Sequence, residues 1–116
     1  MLPAPNRLKK TVLIERVWKR GRSFFAPGLQ LRIVANNLAV SRFAVVIGLK
    51  AEKSAVKRNT WRRRIREILR VNLLKIAPGF DCVIYAKKEG VGFDSARLEN
   101  SLAEAFAKAG LLVRHE

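Results

Sequence analysis

The sequence predicts a small α+β fold, a two-layer sandwich of helices packed on one sheet, with elements in the order α, β, β, α, β, α over one domain spanning residues 1–116. Three observations carry that prediction. Residues 29–35 and 42–50 show the two-residue alternation of strands. Apolar side chains recur at helical spacing in the stretches 11–20, 54–76 and 94–109. A chain of 116 residues with 49% hydrophobic content is long enough to close one core, and no repeat, linker or low-complexity tract divides it.

The first helix is read as running from Thr11, its N-cap, to Arg20, with Leu13, Ile14, Val17 and Trp18 on one side, basic residues on the other and Gly21 at its stop. Leu29, Leu31, Ile33 and Ala35 then alternate with Gln30, Arg32 and Asn36, and Asn36-Asn37 supplies a turn. In the second strand Phe43, Val45, Ile47 and Leu49 share one face, whereas Ala44, Val46 and Gly48 leave the other shallow. Ser54 caps a long helix reaching about Ile76, ended by Pro78-Gly79. Phe80–Ala86 reads as a buried third strand. Asp94 caps a last helix through Ala109, with Phe93 and Leu98 as a hydrophobic staple and Gly110 at C′.

Twenty-four Lys and Arg against nine Asp and Glu give net charge +15. Residues 1–78 hold nineteen cations and three acids, net +16, and residues 79–116 hold five and six, net −1. Such concentrated like charge repels itself unless a polyanion neutralises it. The single Cys82 forms no internal disulfide, and with His115 as the one histidine no structural zinc site can be assembled. Met1 to Arg7 has no signal-type apolar region, and the run Phe43 to Leu49 is too short to cross a bilayer. A reducing cytoplasm and no membrane are therefore expected.

The segment Lys57 to Arg70 carries seven cations and one acid. At 100° per residue Trp61, Ile65, Ile68 and Leu69 make its core stripe, while Asn59, Arg63, Arg66 and Arg70 lie opposite, flanked by Arg62. Lys57 and Arg58 stand at the positive end of the helix dipole, and Arg58/Arg62, Arg62/Arg66 and Arg66/Arg70 are like-charged i,i+4 pairs. A solvated face would intersperse Glu among them. A phosphate backbone reverses the sign of every one of these interactions, and the guanidinium fork suits phosphate oxygens.

Ala55-Val56-Lys57-Arg58-Asn59, followed by Arg62-Arg63 and Arg66-Glu67, resembles the "RNR" helix of the bacterial ribonuclease P protein family. The resemblance extends through Asn6-Arg7-Leu8-Lys9-Lys10, Lys19-Arg20-Gly21-Arg22-Ser23, Arg42-Phe43-Ala44-Val45-Val46 and Gly79 to Ala86, over roughly residues 6–112. It implies a left-handed βαβ crossover holding the basic helix. It also implies a protein subunit that helps a catalytic RNA, with its Mg²⁺ ions, cleave the 5′ leader from precursor tRNA as a ribonucleoprotein endoribonuclease. Ribonuclease P RNA and precursor tRNA are the implied partners, with Lys57, Arg58, Asn59, Arg62, Arg63, Arg66 and Arg70 on the RNA, and Ile14, Trp18 and Arg32 at the leader. Two departures stand out: Thr60 replaces the third member of the motif, and Gly48-Leu49-Lys50 replaces the usual Ser-Lys-Lys.

Some residues admit two readings. Trp18 is either a base-stacking platform or core packing, and Phe24 and Phe25 either touch RNA or fold back on the sheet. Trp61 and Cys82 read as structural. Neither an acid–base pair nor a metal cluster is evident, since Glu99 and Glu104 lie in the acidic third, so no catalytic or metal residue is assigned. The competing functions are a structural RNA-binding protein of ribosomal type and a DNA-binding regulator. The basic helix lacks the Asn, Gln and Ser mixture that major-groove readout uses, so no DNA partner is expected.

Overall fold

Four strands, one more than the hydrophobic pattern predicts, form the sheet in the computed structural model, which describes residues 2–113. The main elements are α1 (Thr11–Arg20), β1 (Arg22–Ala26), β2 (Leu29–Ala35), β3 (Arg42–Ile47), α2 (Ala55–Val71), β4 (Phe80–Ala86) and α3 (Ser95–Lys108). Single 3₁₀ turns occupy Ala4–Asn6, Leu73–Lys75 and Lys88–Gly90. The added strand is β1, so Phe24 and Phe25 lie in an edge strand and not in a loop. It pairs antiparallel with β2, Phe24 opposite Leu31.

The sheet order is β1-β2-β4-β3. β2 and β4 are antiparallel, whereas β3 and β4 are parallel neighbours joined through α2, which makes the βαβ unit that the resemblance implies. Strand alternation divides the side chains between two faces. Phe43, Val45, Ile47, Cys82 and Ile84 meet Trp61, Ile65 and Leu69 of α2 and Leu98, Leu102 and Phe106 of α3 in the main core. Ala44 and Val83 point the other way, to a smaller cluster with Leu8 and Val17 that Leu13, Ile14, Val34, Val46 and Tyr85 partly cover. Helix α1 thus adds a partial third layer. Because Ala44 and Val46 are small, the face remains shallow where α1 ends.

The caps settle the helix boundaries. Lys10, not Thr11, is the N-cap of α1, and it makes no side-chain cap. Ser54 caps α2 by accepting the Lys57 amide at 3.3 Å, and Asp94 caps α3 by accepting the Arg97 amide at 2.9 Å. Gly110 follows α3 at φ 74°, the left-handed geometry of a C′ residue. Helix α2 stops at Val71, five residues earlier than its apolar pattern suggests. Asn72 turns its amide back to Ile68 O at 2.8 Å, and Ile76 is drawn into an antiparallel bridge with Leu112. Leu49 falls beyond β3 in an exposed turn.

A buried polar knot fastens the β3–β4 edge. Asp81, fully buried, accepts Nε and Nη2 of Arg42 at 2.8 Å each and the Asn36 amide at 2.9 Å. These bonds hold the Arg42 guanidinium above its usual pKa, chiefly through the hydrogen bond to Asp81. The same Asn36 accepts the Leu38 amide at 2.8 Å in the turn after β2, where Asn37 takes φ 59°.

Candidate nucleic-acid interface

Helix α2 buries Trp61, Ile65, Ile68 and Leu69 against the sheet and α3 and turns its cations outward. Lys57, Asn59, Arg63, Arg66 and Arg70 are exposed, and Arg58 and Arg62 are half-buried. The exposed residues do not form one uniform ridge. Arg58 donates Nη1 to the carbonyls of Glu52 and Lys53, both at 2.9 Å, so it pins the loop before the helix. Arg62 donates to Asn59 Oδ1 at 2.8 Å, which aligns two predicted contact residues. Arg70 pairs with Glu67, holding that carboxyl below the usual carboxylate range and raising its own pKa. Thr60 donates back to Val56 O at 3.1 Å.

Arg66 lies nearer the sheet than a position opposite the core stripe would place it. It lines a depression of about 350 Å³ with Arg7, Lys9, Ile14, Phe43 and Ala44, at the edge of β3 where Arg7 bridges Phe43. Partial burial, then Arg62 and Arg7, hold its guanidinium below its usual pKa. These cations face one another with no acid among the residues lining that depression. An anion there would supply the counter-charge that the protein does not. The depression also joins the flank of α2 to the residues of α1, which separate in the sequence.

On the α1 side Trp18 is 53% exposed, so it is not core. Its ring meets Tyr85 edge-on, with centroids 5.4 Å apart, and the Arg32 guanidinium lies 4.8 Å from the indole centroid. Arg32 is tied down. It donates to Ser23 Oγ at 2.6 Å and to the carbonyls of Trp18 and Gly21, closing the end of α1 and setting the Trp18 ring on the groove wall. Ile14, half-buried, packs on the small cluster one turn earlier. The groove continues past Val46 and Tyr85 into a second depression of about 300 Å³, rimmed by Gly48, Lys50, Lys87 and Lys88.

Tyr85 and the lysines Lys50, Lys87 and Lys88 are groove residues that the sequence reading missed. The signal for Tyr85 was the parity of β4: reading Phe80–Ala86 as buried on both faces hid that Tyr85 shares the Val83 face under α1. Burial also pushes the Tyr85 hydroxyl above its usual pKa. Cys82, on the other face, is completely buried, and its thiol is pushed far up by that burial. Among the described residues no three His, Cys, Asp or Glu side chains gather as a metal site, and His115 lies outside those residues. No helix among them is long and apolar enough to cross a membrane.

The arrangement has counterparts. A family model described as Ribonuclease P matches residues 2–110. A ribonuclease P protein component of Clostridium kluyveri is 36% identical over 107 residues, covering 90% of this chain and 95% of the relative. One from Synechocystis sp. is 31% identical over 112 residues, covering 96% and 90%. Among solved structures, a Staphylococcus aureus RNase P protein mutant superposes with a TM-score of 0.85 at 24% identity, covering 93% of this chain and 91% of that one, which shows the fold. The Thermotoga maritima RNase P protein gives 0.78 at 26% identity, covering 88% and 96%. With a family model spanning nearly the whole chain and relatives matched along almost their full length, the chain belongs to the bacterial ribonuclease P protein family.

Proposed function

We propose that this chain, a protein component of the tRNA-processing endoribonuclease, binds the catalytic RNA through α2 and holds the 5′ leader of precursor tRNA in the α1 groove. Lys57, Asn59, Arg62, Arg63 and Arg66 contact RNA phosphates directly. Arg58 and Arg70, committed to the loop carbonyls and to Glu67, add charge and hold the helix surface in place. Trp18 stacks on a leader base, Ile14 lines the groove, and Arg32 positions Trp18. Hydrolysis and its Mg²⁺ ions belong to the RNA, and the protein lowers repulsion between two RNAs and orients the substrate in the cytoplasm. The observation that carries this reading is the unbalanced cluster of Arg7, Arg62 and Arg66, which links the α2 flank to the α1 groove along one edge of the sheet.

Reconstitution tests it. The purified protein, a bacterial ribonuclease P RNA and a precursor tRNA at low Mg²⁺ should release the intact leader, whereas RNA-free protein should leave the precursor uncut. Failure to stimulate the RNA would refute the subunit role. Cleavage by protein alone would refute the division of labour.

A further inference from the structure

The chain before α1 rounds the outer edge of β3 from one core to the other. Leu2, only 1% exposed, belongs to the main core, whereas Leu8 belongs to the small cluster on the opposite face of the sheet. Between them Arg7 bridges Phe43 in parallel register, and the Leu8 amide donates to Phe43 O at 2.8 Å. The buried Asn6 adds a tie to the residue before β3, donating Nδ2 to Ser41 O at 2.9 Å. Pro3 stands just ahead of the single turn Ala4–Asn6 and Pro5 lies inside it, so rings fix two φ angles of the segment. A buried side chain at each end and a stiff turn between them make this segment a strap.

Arg7 is where the strap meets the basic surface. Its Nε donates to the Leu2 carbonyl at 2.7 Å, which fixes the plane of the guanidinium, while its two Nη groups make no hydrogen bond or ion pair among the described residues. Arg7 shares the depression with Arg66 and helps to hold that guanidinium below its usual pKa, so the two cations repel in the free protein. Covering a strand edge needs no cation at this position, and a hydrogen bond that holds one beside Arg66 works against the charges. Oriented in this way, the Nη side of the fork suits the oxygens of a phosphate, with less side-chain freedom left to lose on binding.

We propose that Leu2 is a positioning residue for the RNA interface: its burial fixes the carbonyl that orients Arg7, and Arg7 supplies a phosphate contact from outside α2. This rests on the proposed RNA-binding role of the cluster around Arg66. At 1% exposure Leu2 cannot itself reach an RNA, so its contribution to binding passes through the residue it holds. A Leu2 that served packing alone would behave differently. Its loss would destabilise the domain and lower RNA binding by the same factor whether or not Arg7 were present.

Filter-binding titrations with a bacterial ribonuclease P RNA over a salt series, beside a thermal melt of each variant, test this. Arg7→Ala should weaken binding about tenfold and flatten the slope of log affinity against log salt by about one. Leu2→Ala should weaken it about three- to tenfold in the wild-type and Arg63→Ala backgrounds, but by less than about twofold in the Arg7→Ala background, where no guanidinium is left to orient. Leu2→Met refills the core and should restore affinity. Pro5→Gly loosens the turn while both leucines stay, and should show the same dependence on Arg7, which keeps the test decisive if Leu2→Ala does not fold. Equal losses in all three backgrounds, or a folded Leu2→Ala variant that binds as the wild type does, would overturn the positioning role and leave the α2 interface standing. Unchanged affinity and slope in Arg7→Ala would overturn it as well. If Arg63→Ala and Arg66→Ala also bind like the wild type, the RNA-binding reading itself falls.

Discussion

Replacing Trp18 by alanine should remove the preference of the holoenzyme for precursor over mature tRNA while leaving the protein folded. With 53% of its surface exposed, the side chain has about half of the burial that would stabilise the fold. Half-burial of a large apolar side chain contributes about 1–1.5 kcal/mol. The edge contact to Tyr85 adds about 0.5–1.5 kcal/mol, and the exposed cation–π contact with Arg32 about 0.5–1 kcal/mol. The folding cost is therefore about 2–4 kcal/mol, which a domain of ordinary stability survives. Against that, a base stacked on the free face of the indole is worth about 1–3 kcal/mol, a factor of about 5 to 150 in affinity for the leader-bearing substrate alone.

The assay is a pair of dissociation constants, for precursor and for mature tRNA, measured at one fixed salt concentration because phosphate contacts make both steeply salt-dependent. The preference should shrink in the wild-type complex as the leader is cut to one or two nucleotides, and Trp18→Phe should retain most of it. Arg32→Ala should mimic Trp18→Ala in part, since it frees the indole and the end of α1 together. An unchanged ratio of the two constants in a folded Trp18→Ala variant would remove the residue from the leader site. An equal loss for both substrates would show that its role is structural.

Three further outcomes follow from the packing. Trp61→Ala should lower stability by about 3–5 kcal/mol, whereas Arg63→Ala should change it by less than about 0.5 kcal/mol and weaken RNA binding instead; thermal melts with binding isotherms distinguish them. Asp81→Ala should cost about 2–4 kcal/mol in denaturant unfolding, because it strands the Arg42 guanidinium and the Asn36 amide, with Arg42 at 23% exposure keeping the loss below that of a fully buried pair. Added NaCl should raise the melting temperature of the free protein, since screening over about 10 Å at 0.1 M relieves the repulsion among Arg7, Arg62 and Arg66; a falling melting temperature would show that the cluster is not repulsive.

Elements with a strong one-sided pattern were legible from the sequence. β4 has the predicted bounds Phe80–Ala86, and the four apolar residues of α2 are its buried ones, because a stripe at i, i+4, i+7, i+8 admits one packing face. β1 was invisible: an edge strand with none of its five residues fully buried has no alternation to read. Arg32 looked like an outward residue between Leu31 and Ile33, and its parity was right. Its ties to Ser23, Trp18 and Gly21 depend on α1 crossing that face. An acid inside an apolar strand announces a buried partner, but the partner of Asp81 lies 39 residues away, a separation that only the β3–β4 pairing closes.

The division of labour within α2 explains how such a sequence folds at all. Its four buried side chains, Trp61, Ile65, Ile68 and Leu69, supply about 6–12 kcal/mol by area. The like-charged i,i+4 pairs at Arg58/Arg62, Arg62/Arg66 and Arg66/Arg70 oppose that by about 0.6–1.5 kcal/mol together, and part is already offset by Glu67 on Arg70 and Asn59 on Arg62. Burial exceeds repulsion severalfold, so the helix holds its cations in place before any RNA arrives. In the proposed role, RNA would meet a charged surface whose ordering cost has been met during folding, and the repulsion stored among Arg7, Arg62 and Arg66 would be released into binding. A flexible basic tail of equal charge would have to lose its conformational entropy at the moment of association. Building the charge into a helix clamped between sheet and α3 fixes the α2 cations relative to the Trp18 groove, as the proposed RNA path requires.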